Sequence, residues 1–290
     1  MRNATRLLCG LALWASVGVP TPAHAGVNSS SLSPYEVDFA ADGTVTGLAL
    51  GLHLLLHVGV KPQLNGGLSC PPVAETGRCD PQTLWEVDRY GVGRDSEAWR
   101  LFTDAAALAS YLGALGWLGV ESWVRETPSP GRDMLADTLV IAEATALTAF
   151  VTDIFKYAVR RPRPSQYTEG AFVGSFDNRL GFPSGHTSTV AAATTALSVT
   201  FARRHPSSPW RWVVGATGAG LSVATAYGRV AAGRHFPTDV LGGLLVGGAL
   251  GFLVPHLHAK DLALSVTPSV PAGDGGTQQA GVHLGVGGTF

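Results

Sequence analysis

Long apolar stretches, separated by short polar segments, dominate the chain after its first hundred residues. They are rich in Ala, Gly, Ser and Thr, so they are poor strand formers, and their length approaches the roughly 20 residues of a membrane-spanning helix. The stretches run from Thr103 to Val124, Met134 to Val159, Thr187 to Ala202, Trp212 to Gly228 and Val240 to Pro255, with a weaker one from Val45 to Val60. We expect an all-α bundle of five to six mostly apolar, transmembrane helices.

The positions of basic residues predict how such a bundle is oriented, because short cytoplasmic loops carry an excess of Lys and Arg. The loops that would be inside hold Arg125 and Arg132, and Arg203, Arg204 and Arg211. The segments after Val159 and Gly228 would then both face outward. The Val45 to Val60 segment is short and contains His53 and His57, so we expect it to lie against the bundle rather than to cross the membrane.

Both ends of the chain differ from the middle. Residues 1–25 are typical of an export signal, with Arg2 and Arg6 before an apolar run and Ala23-His24-Ala25 as a small-x-small cleavage site. The tail, residues 259–290, alternates small and apolar residues, which predicts a short β-hairpin. Between them we expect an N-terminal region over 26–102 and a catalytic helical core over 103–258.

Two cysteines lie in a loop rich in proline and glycine, Cys70-Pro-Pro-Val-Ala-Glu-Thr-Gly-Arg-Cys79. An exported protein meets an oxidising compartment, where a short loop closed by a disulfide is the usual outcome. A Cys70–Cys79 disulfide would place this loop outside the cytoplasm.

The composition excludes some functions. The formal charge is −1, and 14% of residues are charged against 46% that are hydrophobic. Nucleic-acid-binding proteins carry strongly basic surfaces, so we expect no nucleic-acid partner.

Three clusters of chemically active residues lie at the predicted outward ends of the helices. The first places four cations, Lys156, Arg160, Arg161 and Arg163, within eight residues and without an acid among them. Guanidinium groups match the oxygens of phosphate, although basic residues beside an apolar helix more often mark topology. By itself, this cluster therefore does not distinguish a phosphate-binding site from a topology signal.

The second cluster is Pro183-Ser184-Gly185-His186, just before a predicted helix. Free N–H groups at a helix start can bind an anion, although a Ser-Gly pair alone more often indicates an ordinary helix cap.

The third cluster sets His235 four residues before Asp239, with Pro237 suited to the first helical position. Asp239 in the first turn is favourable in any helix. It could also accept a hydrogen bond from His235 and leave the other ring nitrogen free to attack.

Taken in order, the patterns Lys-x6-Arg-Pro, Pro-Ser-Gly-His and Arg-x5-His-x3-Asp resemble the signature of the type 2 phosphatidic acid phosphatase superfamily, which includes lipid phosphatases, bacterial acid phosphatases and vanadium haloperoxidase-like enzymes. The resemblance covers about Leu101 to Pro255. One position departs from the family, because Gly228 stands where Ser is usual before Arg229.

The resemblance implies a metal-independent phosphatase without a cofactor. His235 would attack phosphorus to form a phosphohistidine, Asp239 would orient it, and His186 would protonate the leaving oxygen and then activate water. The phosphate would be held by Lys156, Arg163, Ser184, Gly185 and Arg229. Arg160 and Arg161 fall outside the spacing, so we expect them to be peripheral, near lipid headgroups.

The substrate we expect is a phospholipid or polyprenyl phosphate, a monoester or diphosphate, hydrolysed at the periplasmic face of a bacterial-type inner membrane. Three alternatives stay open. The acids Asp137, Glu143 and Asp153 inside an apolar stretch also fit a soluble periplasmic acid phosphatase of broad specificity. A vanadate-dependent haloperoxidase shares the same pocket, and a decayed, non-catalytic membrane protein is the fourth hypothesis. A metal enzyme is disfavoured because His256 and His258 fall at the far end of the last helix.

Overall fold

A computed structural model of the chain describes residues 33–63, 70, 72–124, 129–168, 176–261, 263–269 and 281–287. The export signal predicted for residues 1–25 lies outside the described residues. The helices are α1 (Ala41–Leu54), α2 (Glu86–Arg89), α3 (Glu97–Val124), α4 (Pro130–Val159), α5 (Gly185–Arg204), α6 (Trp210–Ala231) and α7 (Pro237–Leu257). The predicted all-α bundle is confirmed.

The six longer helices alternate in direction, so the bundle has two ends. We call them the His235 end, where α7 begins, and the His258 end, where α7 stops. At the His235 end, Thr103 near the start of α3 accepts a hydrogen bond from Arg229 near the end of α6. At the other end, Glu121 of α3 contacts His205 just after α5.

Glycines let α5, which contacts α3, α4, α6 and α7, pack closely against α7. Gly243, Gly247 and Gly251 repeat every fourth residue and therefore share one face of α7. A Cβ atom on Gly247 would lie 2.0 Å from the Ser188 carbonyl oxygen, and one on Gly251 would lie 2.5 Å from that of Ala192. This small-residue spacing brings the two backbones together, as it does in membrane helix pairs.

Among the residues that the structure describes, four helical segments are long and apolar enough to cross a membrane, namely 41–63, 97–121, 130–167 and 237–257. The first is α1, which continues as irregular helix through Gln63. It packs on α4, as expected for a helix lying against the bundle. Its 23 residues nevertheless give it the length to cross, which the apolar stretch alone did not indicate.

The three acids inside the apolar part of α4 are buried and face basic partners. Asp137 pairs with Arg204 and Asp153 with His53, and Oε2 of Glu143 faces Nε2 of His258 at 3.4 Å without a hydrogen bond. Charged groups at membrane depth are tolerated when they face the bundle interior and are paired. The acids are therefore compatible with a membrane-embedded bundle.

The remaining predictions about local structure concern the loop and the tail. Cys70 and Cys79 are disulfide-bonded, with their Cα atoms 5.6 Å apart. The tail forms two antiparallel strands, β1 (Ala263–Ser269) and β2 (Gly281–Gly287), with Ala263 opposite Gly287. The predicted hairpin is therefore present.

Candidate active site

The three sequence clusters meet at the His235 end of the bundle. Lys156 lies in the last turn of α4, Arg163 in the loop after it, Ser184 and Gly185 at the start of α5, His186 in the first turn of α5, Arg229 near the end of α6, and His235 and Asp239 on either side of the start of α7. The charged and imidazole groups named here are largely buried, except for the partly exposed His186.

A tight turn between α6 and α7 places His235. Gly233 has a φ of +65°, in the region that favours glycine, and a Cβ atom there would lie 1.9 Å from the Arg94 carbonyl oxygen. His235 follows two residues later and is 1% exposed, and α7 starts at Pro237 as predicted. The turn therefore fixes the imidazole inside the protein rather than on its surface.

The contacts of His235 define its tautomer. Its Nδ1 lies 2.8 Å from the Gly181 carbonyl oxygen. A carbonyl can only accept, so Nδ1 carries the hydrogen and Nε2 keeps its lone pair. Within the described residues Nε2 has no hydrogen-bond partner, which leaves a free ring nitrogen of the kind a nucleophile needs.

Asp239 does not make the hydrogen bond to His235 that the sequence suggests. Its Oδ2 lies 3.7 Å from Nδ1 of His235 and accepts instead from the Phe236 backbone N–H at 2.9 Å. Because Asp239 is in the first turn of α7, its carboxylate is drawn to the free N–H groups there. The carbonyl of Gly181 fixes the imidazole directly, and Asp239 contributes its nearby charge.

Arg161 is not peripheral, contrary to the sequence-based expectation. Its guanidinium forms 2.5 Å ion pairs with Asp239 and with Asp88, both fully buried. Asp88 also accepts from the backbone N–H of Thr238, at 3.0 Å. Asp88 lies on α2, far from the motifs in sequence, so spacing alone gave no indication of it. Together these groups hold the start of α7 in place.

The cations predicted to bind phosphate are buried and incompletely paired. Nε of Arg163 and Nε of Arg229 are buried without a hydrogen-bond partner, and the ammonium of Lys156 has none within the described residues. The guanidinium of Arg163 has one partner, because its Nη2 lies 3.0 Å from Oδ2 of Asp177. Unsatisfied buried donors are costly, and an anion bound beside them would remove that cost.

The charge around His235 controls its protonation. Burial lowers the pKa of His235 well below its ordinary value, and the positive charges of Arg163, Arg229 and Lys156 lower it further. The hydrogen bond to Gly181 acts in the opposite direction but does not compensate. His235 is therefore neutral at physiological pH, as an attacking imidazole must be.

The start of α5 lies against Lys156. A Cβ atom on Gly185 would lie 3.1 Å from Nζ of Lys156, so glycine leaves the space between the helix start and the ammonium open. The Ser184 side chain makes no cap hydrogen bond to α5 and instead accepts one from the Thr187 hydroxyl at 3.0 Å. The first N–H groups of α5 thus remain available to an anion.

His186 has a partner that the motifs do not contain. Its Nε2 lies 3.0 Å from Oδ1 of Asp104, and the same oxygen accepts from Nη1 of Arg229 at 3.3 Å. Asp104 is a charged residue at the start of an otherwise apolar stretch, and that irregularity is the sequence feature by which it could have been found.

The structure explains how Gly228 is accommodated. A Cβ atom there would lie 2.6 Å from Cγ2 of Thr103 and 2.9 Å from Cε3 of Trp99. The Thr103 hydroxyl accepts from Nη1 of Arg229 at 3.2 Å. Side chains of α3 thus fill the space beside residue 228 and supply a hydroxyl next to Arg229.

Comparison with known proteins gives three informative relatives. Undecaprenyl-diphosphatase of Sulfolobus acidocaldarius is 30% identical over 123 residues, which cover 42% of this chain and 54% of that protein. Lipid A 1-phosphatase of Porphyromonas gingivalis is 32% identical over 134 residues, which cover 45% of this chain and 26% of that protein. Glucose-6-phosphatase 3 of Mus musculus is 41% identical over 88 residues, which cover 29% of this chain and 25% of that protein. The chain thus spans about half the length of the first relative and about a quarter of the others.

A family model described as the PAP2 superfamily matches residues 137–262. This range contains α4 from Asp137 onward, α5, α6 and α7, and with them all eight residues that the motifs single out. Over these residues the chain is therefore similar to the PAP2 superfamily.

Proposed function

We propose that this protein is a phosphatase that hydrolyses a lipid phosphate monoester or diphosphate through a phosphohistidine intermediate. The observation that carries the proposal is the neutral, buried imidazole of His235 among three cations with unused donors, Lys156, Arg163 and Arg229. An anionic substrate would satisfy those donors, and the free Nε2 would lie among them.

In the first step, Nε2 of His235 attacks phosphorus while the bond to the leaving oxygen breaks. His186 gives its proton to that oxygen, which is otherwise a poor leaving group at neutral pH. The Nδ1–H of His235 stays on the Gly181 carbonyl, 2.8 Å away, so the attacking ring keeps its orientation. The products are the alcohol, or the lipid monophosphate, and phosphorylated His235.

In the second step, water attacks the phosphohistidine and the phosphorus–nitrogen bond breaks. The neutral His186 left by the first step accepts a proton from that water, which restores both histidines and releases phosphate. Burial and the positive charge of Arg229 lower the pKa of His186 to about 4, and Asp104, 3.0 Å from its Nε2, acts in the opposite direction. A bound phosphate anion would likewise favour the protonated form that the first step needs.

Charge stabilisation accounts for most of the rate enhancement in phosphoryl transfer. In this proposal it comes from Lys156, Arg163 and Arg229 together with the N–H groups at Gly185. These cations would stabilise the charge that a divalent metal ion stabilises in many phosphatases, so the proposed steps do not require a metal ion.

Three observations support a lipid rather than a small ester as substrate. Two relatives are named for undecaprenyl diphosphate and lipid A. Four helices are long and apolar enough to cross a membrane. A largely apolar cavity of about 840 Å³ lies between α3, α5 and α6, from Ala109 and Leu221 toward Glu121 and Trp210. It begins within two turns of Asp104 and would hold the hydrocarbon part of the substrate.

The orientation we propose places the site on the periplasmic face of an inner membrane. Arg132, Arg203, Arg204 and Arg211 all belong to the His258 end, which the excess of basic residues in cytoplasmic loops assigns to the inside. The His235 end then faces the periplasm, together with the Cys70–Cys79 disulfide.

Phosphate release by the purified protein in chelator tests the proposal, with phosphatidic acid, phosphatidylglycerol phosphate, undecaprenyl diphosphate, lipid A and glucose 6-phosphate as substrates. We expect release from at least one lipid and none from His235→Ala. Release from glucose 6-phosphate alone would favour the soluble substrate of the third relative. Protein denatured at alkaline pH during turnover should also carry acid-labile, alkali-stable phosphate on His235, and the absence of that phosphate would refute the covalent step.

Filling the cavity separates the lipid part of the proposal from the chemistry. Val214 lines the cavity and lies away from the cations. Val214→Trp should raise KM for a long-chain lipid at least about tenfold while leaving turnover of a short-chain phosphate ester unchanged. Equal effects on both substrates would mean that the cavity does not hold the chain.

A further inference from the structure

Three potential metal ligands converge at the His258 end of the bundle, on the opposite side from the catalytic residues. Asp42 is in the first turn of α1, Glu143 in α4, and His258 directly follows α7. One ligand atom from each lies within 4.8 Å of the other two. Twenty-one residues of α7 separate this cluster from His235, roughly 30 Å at 1.5 Å per residue.

The distances between these atoms match those around a tetrahedral metal ion. Nε2 of His258 lies 3.4 Å from Oε2 of Glu143 and 3.6 Å from Oδ2 of Asp42. Both separations are longer than a direct hydrogen bond. Ligands about 2.0–2.2 Å from zinc, at tetrahedral angles, are about 3.3–3.6 Å apart.

The tautomer of His258 favours a ligand role. Its Nδ1 lies 3.0 Å from the Val254 carbonyl oxygen, so Nδ1 carries a hydrogen and Nε2 is the ring nitrogen that faces the two carboxylates. Histidine ligands of metals usually donate their other ring N–H to a carbonyl or carboxylate in this way.

Glu143 supplies a second, independent observation. The residue is 7% exposed, and its Oε2 is buried without a hydrogen-bond partner although it points toward His258. The other two acids in the apolar part of α4 have partners, since Asp137 pairs with Arg204 and Asp153 with His53. An unpartnered carboxylate at this depth is costly, and a cation beside it would remove that cost.

We propose that Asp42, Glu143 and His258 bind one divalent transition-metal ion of the zinc class. Two carboxylates and a neutral imidazole balance the charge of such an ion, and oxygen–nitrogen sites of this kind suit zinc. Asp42 and His258 are partly exposed, which leaves solvent access for a fourth ligand. The ion would tie α1 to α4 and α7 and is separate from the phosphatase chemistry.

Metal binding to the untagged, chelator-treated full chain tests this proposal. After incubation with Zn²⁺ and gel filtration, the wild type should retain about one zinc per chain, and Co²⁺ should give visible absorption typical of nitrogen and oxygen ligands. His258→Gln and Asp42→Asn should each weaken zinc binding by at least about tenfold. His256→Gln is the matched control, because His256 is also partly exposed but its Nδ1 contacts the Phe252 carbonyl and it belongs to no group of potential metal ligands among the described residues.

Thermal unfolding gives a second measurement. Saturating Zn²⁺ should raise the unfolding temperature of the wild type and of His256→Gln but not of His258→Gln. Retained phosphate release shows that each variant is folded. Equal zinc content in the wild type and in both ligand variants would overturn the proposal, as would a wild type that binds no zinc. Preferential binding of Mg²⁺ or Ca²⁺ would overturn the assignment to a transition metal.

Discussion

The Gly181 carbonyl oxygen, 2.8 Å from Nδ1 of His235, is the group that holds the candidate nucleophile in its reactive tautomer. Asp239, which sequence spacing suggested for this task, lies 3.7 Å away. A backbone carbonyl cannot be removed by side-chain substitution. The orientation of His235 is therefore less exposed to mutation than a carboxylate–histidine pair would be.

This arrangement predicts a graded response to mutation. His235→Ala should reduce kcat at least about 10⁴-fold because the nucleophile is lost. Asp239→Asn should reduce it about 10- to 100-fold, because Gly181 still fixes the tautomer while the negative charge beside His235 and the ion pair with Arg161 are lost. Steady-state phosphate release compares the two variants. If Asp239→Asn were as inactive as His235→Ala, Asp239 and not Gly181 would be the essential orienting group.

Replacing Lys156 with methionine should stabilise the unliganded protein while abolishing activity. The ammonium is 9% exposed and has no partner in the described part of the chain, so its burial costs free energy that a methionine would not. We expect the free energy of unfolding to rise by about 1–3 kcal/mol. Added phosphate should stabilise the wild type and not Lys156→Met, as thermal unfolding would show.

Lys260→Met is the matched control for that prediction. The Lys260 ammonium donates to the Ser33 carbonyl at 2.7 Å, at the His258 end of the bundle. Its removal should lower stability and leave turnover intact. A destabilised Lys156→Met would mean that the ammonium is satisfied without a bound anion.

The lowered pKa of His235 predicts how stability depends on pH. In the unfolded chain a histidine takes up a proton near pH 6.5, whereas folded His235 stays neutral well below that. The unfolded state therefore binds more protons as the pH falls below 6.5, and the folded state loses stability. The loss from this group should reach about 2 kcal/mol at pH 5.

His235→Asn carries no titrating group at that position and isolates the effect. The difference in free energy of unfolding between wild type and His235→Asn should change by this amount between pH 7.5 and pH 5, measured without phosphate. A pH-independent difference would show that His235 keeps an ordinary pKa.

Arg161 and Arg160 are adjacent cations for which the structure predicts opposite consequences. Arg161→Met leaves the carboxylates of Asp88 and Asp239 buried without their shared cation, which should cost about 3–5 kcal/mol of stability and most of the activity. The exposed Arg160 should tolerate the same substitution within about 0.5 kcal/mol. Unfolding and phosphate release would be measured for both. Similar effects would contradict the ion-pair network at the start of α7.

Two glycines of α6 provide another matched pair. Gly220→Ala meets open space and should stabilise the helix by about 0.5–1 kcal/mol. Gly228→Ala places its Cβ 2.6 Å from Thr103 and 2.9 Å from Trp99, so it should destabilise the protein and displace Arg229. Unfolding and KM for phosphate esters would be compared. If Gly228→Ala changed neither the free energy of unfolding nor KM, the side chains of α3 would be able to move away from residue 228 at little cost.

The sequence predicted the helices and the three clusters of candidate site residues because both are local patterns. It did not predict Arg161, Asp88 and Asp104, since their importance comes from contacts between helices that are distant in sequence. The spacing predicted that Asp239 lies near His235. It could not predict that the backbone carbonyl of Gly181 accepts the hydrogen bond instead, because every residue carries a backbone carbonyl. Likewise, Glu143 and His258 could not be recognised as neighbours until α4 and α7 were placed side by side.

The antiparallel course of α1 has a consequence for topology. The Tyr35 backbone pairs with Ala259, so the chain enters the bundle at the same end at which it leaves α7. If all six long helices cross the membrane, an even number of crossings returns the chain to its starting compartment. Reporter fusions before residue 33 and after residue 261 should then give the same answer, opposite to that of a reporter in the disulfide loop. Exported residues 33–40 would instead place the His258 end in the periplasm and reverse the orientation proposed above.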